Sequence, residues 1–175
     1  SVIVDATGVT GVAMNSRLSL AALAASVVLC LGSAASAGCI VPPNADAMQK
    51  ELLANLNAER KARGLSALAL STKLDKAAQG HACDNAKRMS ISHTSSDGGT
   101  LKTRLRKAGY SFRTAAENTG RGFASGRRAV EWWMHSPKHK DNILLRKARE
   151  VGVGIAVSAA PDSKLHWINV VGASK

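Results

Sequence analysis

From residue 45 onward, apolar positions recur at helical spacing. Met48, Leu52 and Leu56 share one face, and Gly64 stands where a helix C-cap belongs, so the pattern predicts a helix over 45–63. A short apolar connector, 65–70, leads to Ser71, a favoured N-cap residue. The helix that follows runs to about residue 89, with Leu74, Ala77, Ala78, His81, Ala82 and Asn85 on its inward face. Residues 90–100 read as a loop with Asp97-Gly98-Gly99 as its turn. A short basic helix over 101–108 stops at Gly109, and the polar stretch 110–122 holds a short strand near 115–119. Ser125 caps a further helix, 125–135, that turns Val130, Trp133 and Met134 inward. Ser136-Pro137 restarts a helical turn, with Ser as N-cap and Pro at the first helical position. Two strands, 151–158 and 165–171, close the chain around the turn Pro161-Asp162-Ser163. Helices first and a late hairpin imply an α+β domain: a small antiparallel sheet with helices packed on it.

The N-terminal part of the pattern is different. Met14 opens a short segment carrying Arg17, then an apolar stretch over 18–31, then Gly-Ser-Ala-Ala-Ser-Ala. A positive start, an apolar middle and an Ala35-Ser36-Ala37 cleavage site describe a secretory signal peptide over 14–37. The apolar run is short of the roughly 20 residues that span a bilayer, and no stop-transfer charges follow it. Residues 1–13 precede the start methionine as an upstream extension, 38–47 form a linker, and the folded domain occupies 48–175.

Charge narrows the choice of partners. The 175 residues carry a formal net charge of +12. The first 37 hold one Arg and one Asp, so the excess belongs to the mature part. Such a surface favours anionic neighbours: envelope polymers, lipid head groups or nucleic acid. The basic residues are scattered, no aromatic stacking platform accompanies them and no nucleic-acid motif is present. Together with export, this argues against nucleic acid as a partner.

Of the three cysteines, Cys30 leaves with the signal peptide. Cys39 and Cys83 remain, and an oxidising compartment allows them to pair. The alternative is lipidation of Cys39 just after the cleavage site, although Ser36 stands where lipoprotein signals carry an apolar residue.

Several short motifs fall at loops and helix ends, where functional groups concentrate. They are Ser92-His93 with Asp97-Gly98, then Gly109-Tyr110, then Glu117-Asn118 with Gly122, and then Ser136-Pro137-Lys138-His139 with Asn142-Ile143-Leu144. Leu56-Asn57-Ala58-Glu59-Arg60 precedes them and Val151-Gly152-Val153-Gly154 follows. In this order the set resembles the CAP superfamily (cysteine-rich secretory proteins, antigen 5 and pathogenesis-related 1 proteins), in its bacterial SCP-like extracellular branch. The resemblance spans roughly 48–172 and implies an α-β-α sandwich around a three- or four-stranded antiparallel sheet.

Members of that family place two His and two acidic residues in a central cleft. By motif, His93 matches the first His, Glu117 the acid of the Glu-Asn pair, and His139 the second His. The fourth position departs: Ser136 stands where plant and animal members carry Glu, and Glu131 lies one turn too early. The ligand cleft is therefore expected at His93, Glu117, Asn118, Ser136 and His139. No cofactor is required, but His93 and His139 are candidate ligands for Zn or another divalent cation, with Glu117 behind them. Two hydrolytic versions are open. One has Ser136, His139 and Glu117 imitating a triad, although a Ser before Pro at a helix start reads first as an N-cap. The other has a metal-bound water with Glu117 as base. The leading expectation is a secreted, non-catalytic domain that binds a small ligand, a lipid or a protein. Elsewhere, His81 reads as a satisfied core histidine, His135 as a helix-end cation, and His166 as solvent-facing. Tyr110 and Trp133 read as core, Asn118 as fixing the backbone around Glu117, Asn142 as a bridge near His139, and Arg60 as the partner of a carboxylate.

Overall fold

The computed structural model describes residues 38–175. The signal peptide and the extension before it lie outside the described residues. Five helices and four strands follow in the order α1 (Ala45–Lys61), β1 (Ala69–Leu70), α2 (Thr72–Arg88), α3 (Leu101–Lys107), β2 (Phe112–Arg121), α4 (Gly126–Met134), α5 (Pro137–Ile143), β3 (Glu150–Val157) and β4 (Leu165–Ser174). The strands form one sheet ordered β1-β3-β4-β2. The three long strands are antiparallel, and two-residue β1 joins the β3 edge in parallel. The apolar connector expected before α2 thus contributes the fourth strand. The 112–121 stretch, polar enough to read as mostly irregular, forms a ten-residue strand, because β4 supplies its ladder along the whole length.

Strand side chains alternate between faces, and the sheet feeds two cores. Val151, Val153, Ile155, Trp167 and Val171 meet Leu52 and Leu56 of α1 with Val130 and Trp133 of α4. Ala156, Ile168 and Val170 face the other way, onto Leu74, Ala78 and Ala82 of α2 and Leu105 of α3. This is the α-β-α sandwich. Where β3 needs to offer α2 a side chain it offers Gly152 and Gly154 instead. A Cβ on Gly154 would overlap the Ala78 carbonyl, and one on Gly152 would overlap the Leu74 carbonyl carbon. The small residues of α2 and the two glycines let helix and strand backbones approach directly.

Two long-range ties pin the ends of this arrangement. A disulfide joins Cys39 to Cys83 on α2, and the Ile40 carbonyl accepts a hydrogen bond from Val157 N–H on β3. Arg60, expected to meet a carboxylate, meets none. It is fully buried and its guanidinium donates to the backbone carbonyls of Ser66, Ile143, Leu145 and Ala148. Three of those carbonyls end α5 and begin the turn into β3, a stretch with no ladder of its own. The guanidinium supplies the donors that buried backbone oxygens require.

Three further expectations are corrected. His166 does not face solvent: it is 1% exposed, on the α2 side with Ile168 and Val170, because strand alternation puts every second β4 residue there. Neither ring nitrogen finds a hydrogen-bond partner of good geometry, with only a loose approach to the Ser90 backbone. Ser71 and Ser136 occupy N-cap positions, but their hydroxyl oxygens accept no capping hydrogen bond, whereas Ser125 accepts from the Arg128 N–H as expected. Among the described residues no helix is long and apolar enough to cross a membrane.

Candidate functional site

The site forms where edge strand β2 passes between α3 and α5. Glu117 and Asn118 are adjacent on β2, paired with Val170 and Asn169 of β4, and so point to opposite faces. Glu117 turns toward α2 and α3, and Asn118 toward α5. This one dipeptide ties both layers to the same point.

On the first face the Glu117 carboxylate is buried, 6% exposed, and shared between two partners. Its Oε2 accepts from Arg104 Nη2 at 2.7 Å, and its Oε1 accepts from His93 Nδ1 at 2.9 Å. The Arg104 side chain is itself only 9% exposed. Its Nη1 also donates to His93 O, Ser95 Oγ and Gly99 O, so one guanidinium holds both the loop that carries His93 and the acid that orients it. Behind them lies His81, fully buried, with Nε2 2.8 Å from Ser92 O and 3.8 Å from Glu117 Oε1. Burial is the main cause that lowers the His81 pKa; Glu117 opposes it and Arg104 adds to it. His81 is a core histidine as the apolar face of its helix implies, but it also backs the site.

On the second face, Asn118 Nδ2 donates to the His139 carbonyl at 3.0 Å. Asn142 Nδ2 donates to Asn118 Oδ1 at 2.8 Å and to the Glu117 carbonyl at 3.1 Å. Trp133 Nε1 satisfies the next outward carbonyl of the strand, Thr119 O. The bare edge of β2 is thereby covered by α4 and α5, and α5 is set at the height that brings His139 to the cleft. The Ser136 hydroxyl and His139 Nδ1 share a 2.8 Å hydrogen bond. Burial, then the neighbouring His93, lowers the His139 pKa, favouring the neutral ring.

His93, Glu117, Ser136, Lys138, His139, Asp141 and Asn142 line an open cleft of about 490 Å³. A second recess of about 320 Å³ lies beyond Arg104, between α2 and α3, with His81, Asp84 and Lys107 among its walls. The histidines expected of the site converge on the first. His135 lies outside it, its Nδ1 bonded to the Glu131 carbonyl, and Glu131 pairs with Arg127 and Arg128 on the surface.

The donor set bears on metal chemistry. Glu117 is committed to Arg104 and His93, which leaves Nε2 of His93 and Nε2 of His139, with the Asp141 carboxylate on the cleft wall. An open zinc site uses three protein ligands, and among the described residues no group of three or more His, Cys, Asp or Glu takes a metal-binding arrangement. An ion entering here would be held by His93 and His139, with Glu117 orienting the former.

Arg104 is the functional residue that reading by motif passes over, as one cation in a basic helix. A signal exists: Leu101, Arg104, Leu105 and Ala108 share one face at helical spacing, and Leu101, Leu105 and Ala108 all pack in the α2-side core. A guanidinium on an apolar stripe requires buried acceptors, and here one of them is a carboxylate.

The chain matches the model of the CAP, cysteine-rich secretory protein family over residues 53–171. It is 30% identical over 119 residues to the protein YkwD of Bacillus subtilis, covering 68% of this chain and 46% of that one. The chain thus spans less than half the length of that curated relative. Among solved structures, an outer surface protein of Borrelia burgdorferi superposes with a TM-score of 0.70 at 24% identity, covering 79% of this chain and 99% of that one. An extracellular protein containing an SCP domain from Bacillus anthracis gives 0.64 at 25% identity, covering 77% and 45%. With its motifs, its three layers and this match over most of the described chain, the protein belongs to the CAP, or cysteine-rich secretory protein, family.

Proposed function

We propose that the chain is an exported, non-catalytic CAP domain that holds a small ligand, a lipid or a protein segment in the cleft between His93 and His139. The observation that carries this reading is the saturation of Glu117. A carboxylate whose two oxygens already accept from Arg104 and His93 is poorly placed to take a proton from a water in the cleft. What the cleft offers a ligand is hydrogen bonding from two imidazoles, Ser136 and Asn142. Export is supported by the signal-peptide pattern and by similarity to outer-surface and extracellular proteins. A cysteine sulfur in a disulfide is not free to carry a lipid, so the Cys39–Cys83 bond supports a soluble domain over a lipid anchor. The positive surface then concentrates the domain near anionic envelope polymers, through a screened attraction that weakens with salt.

One contact favours a second reading. The Ser136–His139 hydrogen bond is the nucleophile–base half of a hydrolytic triad, without a carboxylate on His139 to complete it.

The deciding experiment follows the imidazole NMR signals during titration with zinc chloride, envelope lipid extract and soluble wall fragments. A ligand of the cleft shifts His93 and His139 and leaves His135 in place. No shift of either cleft histidine with any of them overturns the binding reading. In parallel, a fluorophosphonate probe that fails to label Ser136 supports the non-catalytic reading, and covalent labelling of Ser136 replaces it with the hydrolase.

A further inference from the structure

Trp132 is the one large aromatic side chain among the exposed apolar residues of the described chain, at 52% exposure. The other two tryptophans, Trp133 and Trp167, are fully buried. Its position is fixed. The indole centroid lies 5.3 Å from the His139 ring and 5.6 Å from the Phe123 ring, both in tilted contacts. Half of a large apolar surface is therefore open to water beside His139 at the cleft edge. Leaving that area in water forgoes the stabilisation its burial would bring, and the contacts with His139 and Phe123 limit the ordering a ligand would have to impose on the indole.

The chemistry beside it is polar. Past His139 the cleft wall presents Ser136, Asp141 and Asn142: a hydroxyl, a carboxylate and an amide on one short helix and its cap. A lipid chain or sterol would bury apolar area against that wall without satisfying it, which costs free energy for every polar group left unpaired. A ligand that is apolar on one face and hydroxylated around its rim matches both parts. A pyranose ring has that form: axial C–H bonds, slightly positive, on one face to meet the negative face of an indole, and hydroxyls around the edge for the carboxylate and amide. We propose that Trp132 is a stacking platform for a pyranose ring of a glycan chain, with the polar wall beyond His139 taking the ring hydroxyls. The inference rests on the reading of the cleft as a ligand site and names the ligand class. The open form of the cleft suits a chain running through it more than a small molecule enclosed by it.

The test is calorimetric titration of the disulfide-intact chain with chitotetraose and, separately, cellotetraose, so that amino-sugar and plain glucan recognition are told apart. Trp132→Ala, Trp132→Phe, His93→Ala and His139→Ala are compared with wild type, and thermal midpoints confirm that each variant is folded. At least one sugar should bind, weakened by about tenfold or more in Trp132→Ala and much less in Trp132→Phe, which keeps an aromatic face. Binding should also quench the surface tryptophan emission, a signal absent from Trp132→Phe because the remaining indoles are buried. Chitotetraose binding alone assigns the amino-sugar class; binding of both assigns pyranose chains in general. No binding of either sugar overturns the pyranose assignment and leaves the cleft reading to its own experiment. Binding unchanged in Trp132→Ala overturns the platform. Binding lost in Trp132→Ala but untouched by both histidine variants places the sugar outside the cleft and overturns this inference, while the cleft reading stands or falls by the imidazole titration.

Discussion

Glu117 is asked to be two things at once: the acid of a cleft and the counter-ion of a buried arginine. The second role governs its energetics. With both side chains at least nine-tenths buried, removing the negative charge leaves the Arg104 guanidinium desolvated and unpaired, a loss of about 3–5 kcal/mol. Glu117→Gln should therefore lower folding stability by about that amount in urea denaturation, before any effect on ligand is considered. The double variant Glu117→Gln with Arg104→Met should recover much of it, since a buried pair replaced on both sides leaves no orphaned charge. If Glu117→Gln folds with unchanged stability, the carboxylate is not the anchor described here. At this scale the site's motif residues are legible in the sequence, but their roles are not. Ser136 reads as the cap of α5 and instead bonds His139. The choice between cap and imidazole depends on the rotamer of one hydroxyl, three residues from His139 on the same helical turn. Asn118, expected in the ligand cleft and around the Glu117 backbone, is instead fully buried, does not line the cleft, and holds the His139 carbonyl, while Asn142 holds the Glu117 carbonyl.

Among the elements, α2 and β3 meet backbone to backbone. Gly152 and Gly154 are needed for close approach rather than for backbone freedom, since neither has a positive φ. Gly154→Ala should destabilise the domain by at least about 1–3 kcal/mol, because the added methyl meets helix backbone that cannot swing aside. Chemical denaturation checks this, and a neutral Gly154→Ala would show that α2 rides higher on the sheet than described. The α5 helix depends on its neighbours in a different way. With seven residues it is too short to be stable alone. It is held by Arg60 at its C-terminal end and by the Asn118–Asn142 pair along its length, and it is the element that delivers His139. Arg104 performs the same service for the His93 loop. The two cleft histidines are thus positioned by a buried arginine each, from different layers.

For the whole molecule, His81, His139 and His166 bear on pH dependence. Burial is the leading cause that lowers the pKa values of His81, His139 and His166 in the folded state. Each returns to about 6.5 on unfolding. Below that value the unfolded chain binds protons that the folded chain refuses, so stability is complete above the unfolded value and falls as the pH drops beneath it. The thermal midpoint should therefore decline between about pH 7 and pH 5. The decline should be shallower in His166→Phe, which removes a buried ring without polar partners. A flat profile over that range would mean that these histidines titrate alike folded and unfolded.

What the sequence by itself determined is local. Apolar spacing along the chain located α1, α2, α4 and the β3–β4 hairpin to within a few residues, because helix and strand periodicities express which face a segment will bury. The ordered motifs pointed to the family and named His93, Glu117 and His139. What only the tertiary structure decided is how charges and hydroxyls far apart in the chain become partners. Arg104 meets Glu117 because β2 pairs with β4 in the register that turns Glu117 toward α3. His166 is buried because that same pairing, continued to the end of the strand, puts it under α2. Arg60 finds three of its four carbonyls because a helix from one part of the chain lies against a turn more than eighty residues away. Each of these follows from strand register and layer packing, which depend on the whole fold rather than on any window of neighbouring residues.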